Sequence, residues 1–188
     1  DYVHYITEIQ RRAYADRAKH MGDPDFWDVP LETLQSKQYA KSRIKNIKAD
    51  KATPSEDVNA GIPYNYESNE TTHYSVVDIW GNAVSVTTTI NLGYGNGCVV
   101  EGAGFFLNNE MDDFSSKPGV PNAFGLVGNE ANAIAPKKRP LSSMTPTIVL
   151  KNSKPFLVVG SPGGSAIITT VMQTIVNVID YNMDIKEA

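Results

Sequence analysis

The sequence is poor in cysteine, in basic clusters and in long apolar runs. Cys98 is the single cysteine among 188 residues, which excludes an intrachain disulfide framework and any multi-cysteine zinc site. Basic residues number 17 against 21 acidic ones, a formal charge of -4 at pH 7, so the electrostatic footprint of a nucleic-acid binder is missing. No apolar run approaches the ~18 residues of a membrane span, and no signal peptide opens the chain. Glycine is scarce in one part only. Residues 1–70 carry 22 charged residues and 2 glycines, whereas residues 71–188 carry 16 and 12. The composition changes at Glu70–Thr71. At 41% hydrophobic residues the chain is globular, with enough length for a core.

What is present follows two periodicities. Residues 2–20 predict an amphipathic helix, with Val3, Ile6, Ile9 and Ala13 on its apolar stripe. Gly22, Asp23 and Pro24 stop it. A second helical stretch follows Pro30 through Leu31, Leu34, Tyr39 and Ile44. Residues 50–70 are polar and aperiodic, an exposed loop. After Thr71 the period becomes two. His73–Ile79 and Ala83–Ile90 predict strands joined by Trp80-Gly81-Asn82, and Thr147–Lys151 and Phe156–Gly160 predict a second hairpin around Asn152-Ser153. Residues 115–140, with four prolines, predict a long irregular loop, uncommon unless it serves a site. Ser165–Asp180 predicts an apolar helix presenting Ile168, Val171, Met172, Ile175 and Ile179. Two hairpins with helices imply an α+β architecture.

Four stretches bear chemistry. TTHYS opens the glycine-rich part at Thr71. A threonine hydroxyl is a poor nucleophile until a base adjoins it. At a chain N-terminus its own α-amino group, of ordinary pKa ~8, serves as that base. Thr71 requires a cut at Glu70–Thr71 for this, and the polar segment before it suits one; a β-prone pair opening a plain strand is the other reading. NNEMDDF, residues 108–114, offers oxygens for Ca²⁺, for a substrate ammonium, or simply for solvent. KRPLSSM, residues 138–144, places two serine hydroxyls after a basic turn, donors for an anion such as a carboxylate or an ordinary loop. GSPGGS, residues 160–165, is a strand-to-helix turn whose N–H groups suit a phosphate or an oxyanion. It is not a Walker A loop, since no lysine follows, and GYGNG at 93–97 fails the dinucleotide pattern.

In the order TTHYSVVD, GNAV, NNEMDDFSSKPGVPN, GLVGNEANAI, KRPLSSMTPTIV and GSPGGS, the sequence resembles the γ-glutamyltranspeptidase family. The likeness continues upstream through RRAYADR and GDPDFWDVP, so it spans essentially the whole chain. The resemblance implies part of a four-layer αββα sandwich of the N-terminal nucleophile hydrolases. It implies a precursor cut at Glu70–Thr71, with residues 1–70 the end of a large subunit and residues 71–188 the first part of a small, catalytic one. By resemblance, Thr71 is both processing residue and nucleophile, and Thr89 hydrogen-bonds it. Asn91, Glu110 and Asp113 hold the α-amino group of a γ-glutamyl donor, Ser142 and Ser143 its α-carboxylate. The N–H groups of Gly163 and Gly164 form the oxyanion hole.

The implied activity is γ-glutamyl transfer and hydrolysis of glutathione and related compounds, with water, amino acids or peptides as acceptors and no metal or organic cofactor. The implied partners are the remaining parts of both subunits, and the implied location is periplasmic or extracellular. Phe124 stands where related bacterial sequences often carry tyrosine; its ring covers a pocket but donates no hydrogen bond. Cephalosporin (glutaryl) acylases and poly-γ-glutamate-processing enzymes share the nucleophile, and a catalytically silent fragment is a third reading.

Overall fold

A computed structural model describes residues 2–58 and 71–188. They form two compact units, residues 2–58 with 111–141 and residues 71–110 with 142–188. Helices and antiparallel strands both occur, as the α+β expectation requires. Glu70 lies outside the described residues, as does most of the loop expected over residues 50–70.

The first unit opens with α1 (Tyr2–His20), where the periodicity places a helix. Its buried face is not the expected stripe. Glu8, Arg12 and Ala15 are buried, whereas Val3 and Ile9 are exposed. The reason is a polar cluster. Glu8 accepts from Arg11 Nη1 and Arg12 Nη1, both at 2.7 Å, and from the backbone N–H and hydroxyl of Thr53. Arg12 also donates to Asn46 Oδ1 at 2.9 Å and Thr53 Oγ1 at 3.0 Å. A buried charge is tolerated when every lone pair finds a donor. Hydropathy periodicity does not register such a face.

The expected second helix is two short ones, α2 (Leu31–Leu34) and α3 (Lys37–Arg43). Ser36 separates them: it is extended, and its Oγ accepts the N–H of Tyr39, an N-cap that starts α3 afresh. Residues 115–140 are irregular as expected, apart from a short 3₁₀ turn at Glu130–Asn132. This stretch still supplies core, through Phe124 and Ala131, beside Phe114 just before it. Buried Asp23 receives the backbone N–H, Nε and Nη2 of Arg139. Those bonds hold its carboxyl well below the usual carboxylate range.

In the second unit, β1 (Thr72–Val77) pairs antiparallel with β2 (Ala83–Thr88). The turn is longer than three residues. The carboxylate of Asp78 accepts the N–H groups of Trp80 and Asn82, so Ile79 leaves the strand and lies exposed. β3 (Thr147–Lys151) pairs with β4 (Lys154–Val159), with a register shift between Val149 and Leu150. The hydroxyls of Ser75 and Ser85 donate to the carbonyls of Val158 and Val159, linking the first hairpin to β4. α4 (Ile167–Ile179) follows a 3₁₀ turn at Gly164–Ala166 and buries Ile167 and Val171 one turn apart, while Ile179 at its end is exposed.

The Glu8 cluster sets an acid limit on stability. Burial pushes its carboxyl up, but the Thr53 and Arg12 hydrogen bonds outweigh this and lower it from 4.5 to about 2. A group depressed in the folded state contributes stability above its unfolded pKa and loses it as pH falls through the folded one. Melting temperature should therefore fall between pH 4.5 and about 2, and less steeply in Glu8→Gln. Glu8→Ala, which strands buried Arg12, should cost about 3–5 kcal/mol in urea unfolding at pH 7.

Candidate active site

β1 begins one residue after Thr71, which is half-buried. Thr72 faces Thr88 as the last pair of the ladder, and Thr71 and Thr89 are the residues next to it on the two chains. The chain then turns sharply. Thr89 Oγ1 accepts the N–H of Asn91 at 3.0 Å, and Asn91 takes a left-handed backbone with φ of 76°. Asparagine is among the few non-glycine residues that adopt this region at low cost. Asn91 is buried, and its Nδ2 donates to Asn109 O at 3.1 Å. Asn109 returns the link: its Oδ1 accepts the N–H of Leu92 and its N–H donates to Ile90 O. The strand end is thus stitched to the acidic stretch.

Glu110 opens a 3₁₀ turn, Glu110–Asp113, whose first N–H is accepted by Asn108 Oδ1 at 3.0 Å. Asn108, Asn109 and Asp112 direct side-chain oxygens at backbone N–H groups of Glu110, Leu92 and Ala123. Among the described residues no group of three or more His, Cys, Asp or Glu gathers as a metal site would need. These three oxygens are thus engaged within the chain, capping the turn and its neighbours. Asp113 belongs to the first unit, where its carbonyl accepts Asn132 Nδ2 at 2.7 Å. There the positive field of Asp113's neighbour Arg17 is available: burial lowers the Arg17 guanidinium, and the charges of Tyr14 and Asp113 oppose that shift. A cleft in this unit is lined by Arg17, Asp113, Asn122, Leu126, Asn132 and Leu141. Phe124 is buried in the same stretch, with its N–H donated to Asn122 Oδ1.

Ser142 and Ser143 lie in the second unit, on the extended segment before β3. Ser142 Oγ accepts the N–H of Met144 at 3.0 Å, which fixes its rotamer. Gly163 and Gly164 both have positive φ, 128° and 53°, directly before α4. A residue with a Cβ would be strained in such a backbone. The second unit therefore holds Thr71, Thr89, Asn91, Glu110, Ser142, Ser143, Gly163 and Gly164.

His73, Asn109, Arg17 and Asn132 are the residues to which sequence reasoning assigned no role. Arg17 reads as the polar side of a helix and Asn132 as one polar residue in a loop, so neither carries a local signal. His73 Nδ1 lies 2.8 Å from Thr87 Oγ1 and Nε2 3.0 Å from Ser75 Oγ. The Ser75 proton goes to Val158 O, so Nε2–H donates to Ser75 and Nδ1 accepts from Thr87. A Cβ on Gly160 would overlap the His73 ring. Gly160→Ala should therefore destabilise by roughly 1–3 kcal/mol. In a double-mutant cycle read by urea unfolding, Gly160→Ala with His73→Ala should lose less than the sum of the singles; strict additivity would show that this contact does not set the strand-to-loop spacing.

The model of the family described as Gamma-glutamyltranspeptidase matches residues 1–188. The glutathione hydrolase proenzyme of Escherichia coli strain K12 is 56% identical over 188 residues, all of this chain and 32% of that protein. The chain thus spans about a third of the length of the curated relatives it matches. A crystal structure of a Helicobacter pylori gamma-glutamyltranspeptidase mutant is 74% identical, with a TM-score of 0.59 over 61% of each chain. The cephalosporin acylase of Bacillus halodurans is 26% identical, with a TM-score of 0.67 over 96% of this chain and 30% of that one. Both likenesses agree with an α+β fold of the N-terminal nucleophile hydrolases. A family model matched from the first residue to the last leaves no part of the sequence unaccounted for, and the chain belongs to the γ-glutamyltranspeptidase family.

Proposed function

We propose that the complete protein containing this chain transfers and hydrolyses γ-glutamyl groups, glutathione among its donors, after cutting itself at Glu70–Thr71. The observation that best supports this is the β1–β2 register, which ends at the Thr72–Thr88 pair and so leaves Thr71 and Thr89 as the next residue of each strand at the same end of the hairpin. In maturation the Thr71 hydroxyl attacks the Glu70 carbonyl. The peptide becomes an ester by N→O acyl shift, and water hydrolyses it. Residues 1–70 then end a large subunit, and Thr71 opens a small one with a free α-amino group.

In turnover that amino group takes the hydroxyl proton as Thr71 attacks the γ-carbonyl of the donor. The N–H groups of Gly163 and Gly164 receive the oxyanion, a contribution worth about 10²–10³ in rate per donor at comparable sites. The amine leaves with the proton, and water, an amino acid or a peptide takes the glutamyl group from Thr71. Asn91, Glu110 and Asp113 accept from the donor's ammonium, while Ser142 and Ser143 donate to its carboxylate. No step calls for a metal or an organic cofactor. β1 and β2 leave Tyr74, Val76 and Val84 half exposed, an apolar face suited to cover by the rest of the two subunits. Periplasmic or extracellular placement fits a precursor of this kind. Among the described residues no helix is long and apolar enough to cross a membrane.

The likeness to cephalosporin acylase supports a second reading, a donor lacking the α-amino group. The oxygen acceptors at Glu110 and Asp113 favour γ-glutamyl over glutaryl. The complete enzyme should hydrolyse a γ-glutamyl anilide faster than the glutaryl one, and the reverse preference would establish the acylase reading. Thr71→Ala should leave the precursor as one band on a denaturing gel and lower activity by at least about 10³-fold, the scale lost when a nucleophile is removed. Two bands from that variant would exclude Thr71 as the processing residue.

A further inference from the structure

We propose that Asn109 is a positioning residue for Asn91 and Glu110, and through them for the choice between donors with and without an α-ammonium. The inference rests on the γ-glutamyl reading above, and every residue it uses lies in the second unit. Asn91 is 4% exposed and holds a left-handed backbone with φ of 76°. Such a conformation persists only where its surroundings over-determine it. Thr89 Oγ1 accepts the N–H of Asn91 at 3.0 Å, which fixes the peptide before it. Asn109 Oδ1 accepts the N–H of Leu92 at 3.1 Å, which fixes the peptide after it. Asn109 O accepts Asn91 Nδ2 at 3.1 Å, which fixes the side chain. The N–H of Asn109 donates to Ile90 O at 3.2 Å. Ile90, Asn91 and Leu92 are thus all bonded to one residue.

The commitment of Nδ2 decides what the Asn91 amide can offer. A carbonyl needs a donor, so the nitrogen faces Asn109 and the oxygen is turned away from it as an acceptor. An ammonium only donates, and suits that oxygen and the Glu110 carboxylate alike. Glu110 follows Asn109 directly, and its N–H is accepted by Asn108 Oδ1 at 3.0 Å. Between Leu92 and Leu107 the chain makes an irregular excursion, with its own bonds from Asn96 N–H to Leu107 O and from Leu107 N–H to Cys98 O. Asn109 closes this excursion at its root. Without the Asn109 side chain, the Asn91–Leu92 peptide loses the acceptor that holds it, and the Asn91 oxygen loses its fixed direction. A γ-glutamyl donor has an ammonium to place against that oxygen. A glutaryl donor has none and does not depend on it.

Asn109→Leu is the informative variant, since it keeps the bulk and removes the acceptor for Leu92. In the complete enzyme its KM for a γ-glutamyl anilide should rise roughly three- to tenfold, the scale of one lost hydrogen bond. Its kcat on that donor, and its kcat/KM on the glutaryl anilide, should each stay within about twofold, so the preference between donors narrows through KM alone. Asn109→Ser, too short to reach Leu92, should show the same narrowing. Asn109→Asp keeps an oxygen for Leu92 and should restore KM to within about twofold of the unsubstituted enzyme. Equal losses on both donors, an unchanged KM in Asn109→Leu, or an Asn109→Asp enzyme as impaired as Asn109→Leu would overturn the assignment. Failure of both the Leu and Ser variants to mature would mark position 109 as a folding residue and overturn it equally. Absence of a γ-glutamyl preference in the unsubstituted enzyme would instead refute the γ-glutamyl reading, and this inference with it.

Discussion

The antiparallel pairing of Thr72 with Thr88 is the constraint on which the arrangement of the second unit depends. It fixes the start of β1, and with it the residue that a cut at Glu70–Thr71 would expose. The same pairing sets where β2 ends, and so where Thr89 and the left-handed turn at Asn91 begin. From Asn91 the paired bonds with Asn109 carry the constraint to the acidic turn. Serine hydroxyls and His73 carry it the other way, to β4 and Gly160. A slip of one residue in this hairpin would turn every side chain to the other face. It would also dismantle all of these links together.

The first unit is held by a different principle. Its buried face includes Glu8, Arg12, Asp23 and Asn132 alongside Phe114, Phe124 and Ala131. These polar groups are bonded to other segments of the chain: Glu8 to Thr53, Asp23 to Arg139, Asn132 to Asp113. Apolar contacts are tolerant of small displacements, whereas hydrogen bonds lose strength steeply with angle and distance. A long irregular stretch such as residues 115–140 gains a defined path from such bonds at little need for regular structure. That path leads into Leu141 and the serines after it.

The strands and α4 were legible in the sequence because their signal is local: alternation of apolar residues, and a helical repeat of Ile and Val. The turn at Asp78 was read too short, because its capping carboxylate competes with strand pairing in a way that hydropathy does not encode. The break at Ser36 had a signal in the serine's capping chemistry, outweighed by the apolar repeat around it. The buried side of α1 was not legible at all. Its partners Asn46 and Thr53 lie 34 to 45 residues away, and charged residues at helical spacing ordinarily denote a solvated face. Among the candidate site residues, Thr71, Asp113, Ser142 and Ser143 lie in the family motifs themselves. Asn132 and Arg17 emerge only when the fold brings Asp113 and Leu141 together.

The central claim is that Thr71 becomes a chain terminus and does its chemistry from there. Intact-mass measurement with N-terminal sequencing of the complete, active protein tests it most directly. The account predicts two chains, the second beginning Thr71-Thr72-His73-Tyr74. An active enzyme whose Glu70–Thr71 bond is intact, or whose second chain begins at any other residue, would contradict it.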